Sequence, residues 1–155
     1  MSRQHRPRVT QEQDWHLFYG GPFSNFAYSP ITAWSDVLGW EDYDTVEHFY
    51  QAAKSTSEAE AYAIARAESP AIAKALGQKA KLRPDWEAVK EDIMLRGLRE
   101  KYKIPFYRIE LLKTGTKTIV EDSPTDYYWG WGRDRSGQNR LGVLLMQVRD
   151  ELRGT

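Results

Sequence analysis

The chain of 155 residues has no cysteine, no net charge and no long apolar run. The absence of cysteine excludes disulfides, thiolate nucleophiles and cysteine-ligated metals, and it fits a reducing compartment, so we expect a cytoplasmic protein. No apolar stretch approaches the roughly 20 residues that cross a bilayer, and we therefore expect no membrane span. Because 22 Lys and Arg balance 22 Asp and Glu, only a local cluster of basic side chains could attract a polyanion.

Histidine and the common catalytic motifs are also scarce. His5, His16 and His48 lack the spacing of metal ligands, so we predict no metal site and no cofactor. A phosphate-binding GxxxxGK[ST] loop, a dinucleotide-binding GxGxxG turn and a hydrolase GxSxG elbow are all missing. These absences exclude the most frequent nucleotide-binding sites and the usual serine-hydrolase site.

Aromatic residues are abundant, since six Trp, nine Tyr and five Phe make up 13% of the chain. Their side chains fill protein cores, and they also stack on planar ligands. The chain is 41% hydrophobic and 28% charged, and its length is typical of one domain. We therefore predict one soluble globular domain.

The first residues differ from the rest of the chain. Arg3, Arg6 and Arg8 lie in a segment without apolar periodicity, which also lacks the apolar stretch of a secretory signal. We expect residues 1–13 to form a flexible tail and residues 14–155 to form the domain.

Periodicity and turn residues predict several helices and a few strands. Gly20-Gly21-Pro22 ends a first strand, and residues 35–39 join the two strands of a hairpin. The sequence predicts that Asp44, Ser57 and Ser69 cap the first three helices. Gly77 is expected to end the third helix and Asn139 to cap the last. The expected fold class is α+β, a single mainly helical domain with a small antiparallel β-sheet. The predicted strands are 15–19, 31–34, 40–43 and 117–121, and the predicted helices are 44–54, 57–67, 70–77, 85–102, 105–112 and 140–152.

A glycine-rich aromatic loop precedes the last predicted helix. Residues 126–140 combine aromatic rings with three Gly, three Arg and two carboxylates. Glycine lets a backbone approach a ligand, Trp and Tyr stack on bases, and Arg suits phosphate. Free amides at the start of the following helix could also bind an anion. The alternative is a surface loop that its own aromatic residues hold in place.

Three polar residues share one edge of the first predicted helix. At about 100° per residue, Glu47, Gln51 and Lys54 fall within a stripe about 60° wide beside the apolar face. Such a stripe would suit a polar site, although spacing alone favours a capping Glu with solvent-exposed neighbours. Trp86 has helical spacing with Val89 and Ile93, which favours packing in the core.

Four blocks in order resemble the NADAR (YbiA-like) family over about residues 15–152. They are Phe23-Ser24-Asn25-Phe26, the segment from Thr45 to Lys54, Arg83-Pro84-Asp85-Trp86, and the segment from Asp126 to Gly142, which contains the aromatic loop. The resemblance implies an N-glycosidase that cleaves the bond between C1 of a ribose and a nitrogen. One branch of the family acts on ribosylaminopyrimidine phosphates of riboflavin synthesis, and another removes ADP-ribose from guanine in nucleic acid. The arginines of the tail and the loop favour a phosphate-rich substrate.

The same resemblance implies the site residues. Glu47 is expected to stabilise positive charge at C1, Asp126 to act as an acid or base or to hold ribose hydroxyls, and Lys54 to bind phosphate or to attack C1. The residues expected to contact substrate are Phe23, Asn25, Trp86, Trp129, Asn139 and Arg140.

The sequence departs from the family pattern at one position of the aromatic loop. Trp131 stands between Gly130 and Gly132, where the family carries a smaller residue, and this difference affects the shape of the base pocket.

A non-catalytic module that binds ADP-ribose or a nucleotide is the alternative function, but such a module would have lost Glu47 or Lys54. A plain interaction domain is disfavoured by the polar residues of the four blocks.

Overall fold

The structure is a computed structural model that describes residues 14–154. The tail predicted for residues 1–13 lies outside the described residues. The chain folds into two compact units. The central unit is Ser24–Tyr107, and the terminal unit contains the described residues on either side of it, 14–23 and 108–154.

Residues 14–154 form short strands and six α-helices, which confirms the α+β class and the mainly helical content. A single turn of 3₁₀ helix covers Gly21–Phe23. The strands are β1 (Trp15–Phe18), β2 (Ile31–Ser35), β3 (Gly39–Tyr43) and β4 (Thr118–Glu121). The helices are α1 (Val46–Ala52), α2 (Glu58–Ala65), α3 (Pro70–Lys79), α4 (Trp86–Lys101), α5 (Pro105–Lys113) and α6 (Arg140–Arg153).

The central unit is built around the short helix α1. Strands β2 and β3 form the predicted antiparallel hairpin, with Trp34 opposite Trp40. Residues of β2 alternate between buried and exposed, as expected for a strand with one face on a core. All seven residues of α1 are buried, and α2, α3 and α4 pack around it. The polar side chains of α1 therefore lie in the interior of this unit.

Side-chain caps fix where the first three helices begin. Thr45, Ser57 and Ser69 each accept a hydrogen bond from the backbone amide three residues later. The last two caps confirm the sequence prediction, whereas the first lies on Thr45 rather than on Asp44. A hydroxyl cap satisfies an amide that has no partner within the helix and is typically worth about 1 kcal/mol.

The prediction that Gly77 ends the third helix is wrong. Helix α3 continues through Gly77 to Lys79. A glycine within a helix costs about 1 kcal/mol relative to alanine, so its presence there needs another reason. Gly77 is buried against α1, where the lack of a Cβ matters for packing.

The terminal unit contains a pairing that the sequence did not predict. Strands β1 and β4 pair in parallel, with Trp15 opposite Thr118, in addition to the antiparallel hairpin of the central unit. Helix α6 packs on β4, and its buried residues include Leu141, Leu145 and Val148. No helix among residues 14–154 is long and apolar enough to cross a membrane.

Candidate functional site

Helix α1 places a carboxylate and an amide side by side in the interior of the central unit. Glu47 and Gln51 are 7% and 3% exposed, and the Gln51 Nε2 donates to Glu47 Oε2 at 2.7 Å. The Glu47 amide donates to the Asn25 carbonyl at 3.1 Å. The polar stripe is therefore a hydrogen-bonded pair rather than a row of solvent-exposed side chains.

The amine of Lys54 lies on aromatic rings just after α1. Its Nζ is 5.5 Å from the ring centroid of Tyr50 and 5.8 Å from that of Trp86. Burial lowers the pKa of the Lys54 amine from its usual 10.5, an effect that the Glu47 carboxylate opposes and that Lys74 and Lys90 reinforce. A lowered pKa increases the fraction of neutral amine, which is the nucleophilic form.

Trp86 forms the wall behind this amine. It is buried at the start of α4 and meets the Tyr50 ring edge to face, with centroids 5.1 Å apart. The segment that precedes it is tied to Lys54, because the Arg83 amide donates to the Lys54 carbonyl at 2.8 Å. Trp86 therefore packs in the core, as its helical spacing predicts, and also lies beside the candidate site.

Asn25 brings an amide side chain to the same region. Its Nδ2 lies 3.4 Å from the sulfur of Met94, and its buried Oδ1 has no hydrogen-bond partner within residues 14–154. A buried acceptor without a partner is uncommon and costs about 1–3 kcal/mol. Asn25 therefore retains an unused acceptor close to the Glu47 end of α1.

His48 lies on α1 but serves the structure of the central unit. Its Nε2 lies 3.0 Å from the Ala67 carbonyl, which can only accept, so Nε2 carries the hydrogen. Its Nδ1 lies 2.8 Å from the Thr45 hydroxyl, which also caps the helix. Both ring nitrogens are thus engaged. Within residues 14–154, no group of three or more His, Asp or Glu side chains could hold a metal ion.

Lys101 is a buried amine that sequence reasoning missed. It is fully buried at the end of α4, and its Nζ donates to the Ser24 carbonyl at 2.9 Å, one residue before Asn25. The rings of Tyr102 and Tyr107 lie 5.2 Å and 4.7 Å from it. Burial lowers its pKa to about 7. Lys101 therefore anchors the segment that carries Asn25.

The free energy of unfolding is expected to rise with pH as Lys101 loses its proton. The folded chain loses it near pH 7, whereas the unfolded chain keeps it up to about 10.5. Between these values the unfolded chain binds more protons, so stability gains up to about 1.4 kcal/mol per pH unit. Lys101→Met should abolish this gain, as urea unfolding of both proteins between pH 6.5 and 9.5 would measure. If the two proteins show equal slopes, burial does not lower this pKa.

In the terminal unit, Asp126 shapes the start of the aromatic loop. One carboxylate oxygen, Oδ1, accepts from the amides of Tyr128 and Trp129 at 2.9 Å and 2.8 Å. The Asp126 amide in turn donates to the Ser123 hydroxyl at 3.1 Å. Asp126 therefore holds the turn at the start of the aromatic loop through its Oδ1.

The sequence predicts free backbone amides at the start of α6 that could bind an anion. This prediction is wrong for two of these amides. The amides of Arg140 and Leu141, the first two residues of α6, donate to carbonyls of the aromatic loop at 2.9 Å and 3.0 Å. Gly132 has φ of +75°, and a Cβ there would lie 2.2 Å from the ring of Tyr127. Glycine at position 132 therefore lets the Tyr127 ring pack closely against the backbone of the same loop.

Asn139 holds strand β4 instead of capping α6 with its side chain. Its Oδ1 accepts from the Glu121 amide and its Nδ2 donates to the Ile119 carbonyl, both at 2.9 Å. Its backbone is left-handed, with φ of 51°, and the side chain makes no cap hydrogen bond. The predicted contact of Asn139 with substrate therefore competes with a structural role.

The remaining aromatic residues of the terminal unit differ in burial. Phe23 is in the core against Phe18, and Trp131 is buried against Trp15 with its Nε1 donating to Asp122. Trp131, the departure from the family pattern, thus fills the core of this unit. The half-buried Trp129 meets the ring of Tyr128 edge to face at 4.9 Å.

The central unit brings together four of the predicted residues, Asn25, Glu47, Lys54 and Trp86. The terminal unit contains the other five, Phe23, Asp126, Trp129, Asn139 and Arg140. Sequence reasoning noted Gln51 without assigning it a role, although helical spacing from Glu47 was a sufficient signal. Tyr50 and Lys101 carried no such signal, because which ring or carbonyl they meet depends on distant parts of the chain.

Comparisons with known proteins agree with the resemblance. A family model described as NADAR domain matches residues 13–153. N-glycosidase Npun_R5314 of Nostoc punctiforme is 42% identical over 139 residues, which cover 86% of each chain. The maize (Zea mays) riboflavin biosynthesis protein PYRR, chloroplastic, is 37% identical over 154 residues, 91% of this chain and 24% of its own length.

One solved structure is similar to this chain over most of the length of both proteins. The NMR structure of the Escherichia coli protein YbiA has a TM-score of 0.78 and 38% identity, covering 89% of this chain and 84% of that one. The family model, the curated relatives and this structure point to the same assignment. This chain therefore belongs to the NADAR domain family.

Proposed function

We propose that this protein is an N-glycosidase that hydrolyses the bond between C1 of a ribose phosphate and the amino nitrogen of a pyrimidine. The observation that carries the proposal is that a buried carboxylate, Glu47 of α1, acts electrostatically on a half-buried amine, Lys54, which follows the helix and whose pKa is lowered by burial. The curated relatives from E. coli and Nostoc are named N-glycosidases, which supports the reaction class.

Cleavage of a ribosyl C–N bond places positive charge on C1 and negative charge on the departing nitrogen. Fixed charges that stabilise this distribution lower the barrier most when they are held in place and shielded from water. Glu47 is held by the amide of Gln51, so its carboxylate has a fixed position. We assign Glu47 to the stabilisation of C1 and to proton transfer.

Lys54 is assigned the attack on C1. Its neutral amine forms a bond to C1 as the bond from C1 to the base nitrogen breaks, and that nitrogen receives a proton. The sugar ring then opens to an imine, which water hydrolyses to release ribose 5-phosphate and restore the amine. The lowered pKa of Lys54 supports this assignment, because only the unprotonated amine can attack.

The roles of residues in the terminal unit stay predictions from the family resemblance. Asp126 is expected to hold ribose hydroxyls or to act as an acid or base, and Trp129 is expected to stack on the base. The exposed side chains of Arg133 and Arg135 follow in the same loop and suit phosphate oxygens.

Two substrates compete within this reaction class. The name of the maize relative favours a ribosylaminopyrimidine phosphate of riboflavin synthesis. The exposed arginines of the aromatic loop favour a substrate with more phosphate, such as ADP-ribose on guanine in nucleic acid.

A direct assay separates these substrates and tests the proposal. We expect the purified protein to release free aminopyrimidine and ribose 5-phosphate from 5-amino-6-ribosylaminouracil 5′-phosphate, as chromatography with mass detection would show. An oligonucleotide with ADP-ribosylated guanine serves as the second substrate. Turnover of that oligonucleotide alone would reassign the substrate. Binding of either compound without turnover would favour the non-catalytic binding module.

A further inference from the structure

The orientation of Glu47 depends on a side chain that is itself confined. Gln51 donates through Nε2 to Glu47 Oε2 at 2.7 Å. Because an ionised carboxylate can only accept, the nitrogen end of the Gln51 amide faces Glu47 and the oxygen end faces away. That oxygen, Oε1, is buried and has no hydrogen-bond donor within the described part of the chain.

Gly77 of helix α3 lies directly against this oxygen. A Cβ on Gly77 would lie 1.9 Å from Gln51 Oε1, 2.8 Å from its Cδ and 2.9 Å from its Cβ. No side chain fits at these distances, so α3 approaches Gln51 closely only because residue 77 is glycine. The small hydrogen in place of a Cβ on Gly77 leaves this space to Oε1.

We propose that Gly77 is a positioning residue for Glu47, acting through Gln51. This inference rests on the proposed role of Glu47 in the reaction. Without a Cβ on residue 77, the Gln51 amide keeps the orientation in which its nitrogen holds the carboxylate. A methyl group at residue 77 displaces the whole Gln51 side chain, and Glu47 loses its fixed position. This role also gives a physical reason for the glycine in the interior of α3.

The chain offers a matched control in helix α4. A Cβ on Gly97 would lie 2.9 Å from a ring carbon of Phe49 and 3.2 Å from Val46, both on the apolar face of α1. Gly77→Ala and Gly97→Ala therefore each add one methyl group to a helix that packs on α1. Only the first meets Gln51. Crowding of a core lowers stability in both variants.

Nuclear magnetic resonance of the Gln51 side-chain amide tests the geometry without any substrate. In the wild type and in Gly97→Ala, we expect slow solvent exchange of these protons and a chemical shift that follows the titration of Glu47. In Gly77→Ala, we expect fast exchange and no such dependence. Unchanged exchange in Gly77→Ala would overturn the proposal, whether or not the protein turns over either substrate.

Kinetics on the substrate that the wild type turns over test the consequence. Gly77→Ala should lower kcat about 10- to 100-fold with little change in KM, the scale of a misplaced catalytic group. Gly97→Ala should lower Tm while kcat stays near the wild-type value. Gln51→Leu should lower kcat and move the acidic limb of the pH profile to higher pH, since the carboxylate loses a donor to its charged form.

A double variant covers the case in which Gly77→Ala does not fold. Gln51→Ala removes the Oε1 and Cδ atoms that the methyl group added by Gly77→Ala would meet at 1.9 Å and 2.8 Å, and it leaves the Cβ of residue 51 at 2.9 Å. The second substitution should therefore disturb this variant less than it disturbs the wild type, and it should lower kcat no further. An additional loss of activity in the double variant would contradict the proposed route through Gln51. If Glu47→Gln is as active as the wild type, the assignment of Glu47 fails instead, and the exchange measurement still decides the contact.

Discussion

Replacement of Glu47 with Gln is expected to slow turnover about 100-fold or more while the fold is kept. The carboxylate is the group that we assign to the charge at C1, and loss of an acid–base group typically costs about 10²–10⁴-fold. Glutamine has the same shape, and its oxygen can still accept from the Gln51 Nε2. Single-turnover kinetics at saturating substrate, together with the melting temperature, would measure both effects.

Glu58→Gln is the matched control for this variant. Glu58 is exposed in the first turn of α2, so the same change of charge there leaves the interior of the central unit untouched. We expect it to turn over substrate at the wild-type rate. Near-normal turnover in Glu47→Gln would remove Glu47 from the catalytic residues.

Replacement of Lys54 with Arg is expected to abolish activity. The guanidinium keeps the positive charge, but with a pKa above about 12 it stays protonated and cannot attack C1. Borohydride added during turnover should reduce the imine and leave a sugar on Lys54, which peptide mass spectrometry would locate. The same treatment of Lys54→Arg should leave no adduct.

Lys74→Arg provides the comparison for Lys54. Lys74 is an exposed residue of α3 whose charge lowers the pKa of Lys54, and arginine preserves that charge. This variant should stay active and form the adduct. If Lys54 only pairs with phosphate, Lys54→Arg should retain much of its activity without an adduct, and the imine mechanism would then be wrong.

Local features of this fold could be predicted from the sequence. The hairpin of β2 and β3 and the caps at Ser57 and Ser69 depend on neighbouring residues, so their patterns are visible along the chain. The stripe of Glu47 and Gln51 follows from helical geometry alone, whereas their burial and their hydrogen bond are seen only in the structure.

Features that depend on distant residues could not be predicted. The parallel pairing of β1 with β4 joins opposite ends of the described chain, and no local pattern indicates it. The end of α3 was misplaced because glycine usually stops a helix, whereas Gly77 is buried against Gln51. Lysine is almost never fully buried, so nothing in the sequence distinguished Lys101.

The pairing of β1 with β4 also constrains the order in which this chain folds. During synthesis β1 emerges roughly a hundred residues before the strand that completes its ladder, and closing so long a loop is entropically costly. The central unit lies wholly between the two strands, so all of its residues are available earlier. Until β4 and α6 leave the ribosome, β1 exposes unpaired backbone groups and the apolar Phe18, and it depends on rapid completion of the chain to avoid pairing with other molecules.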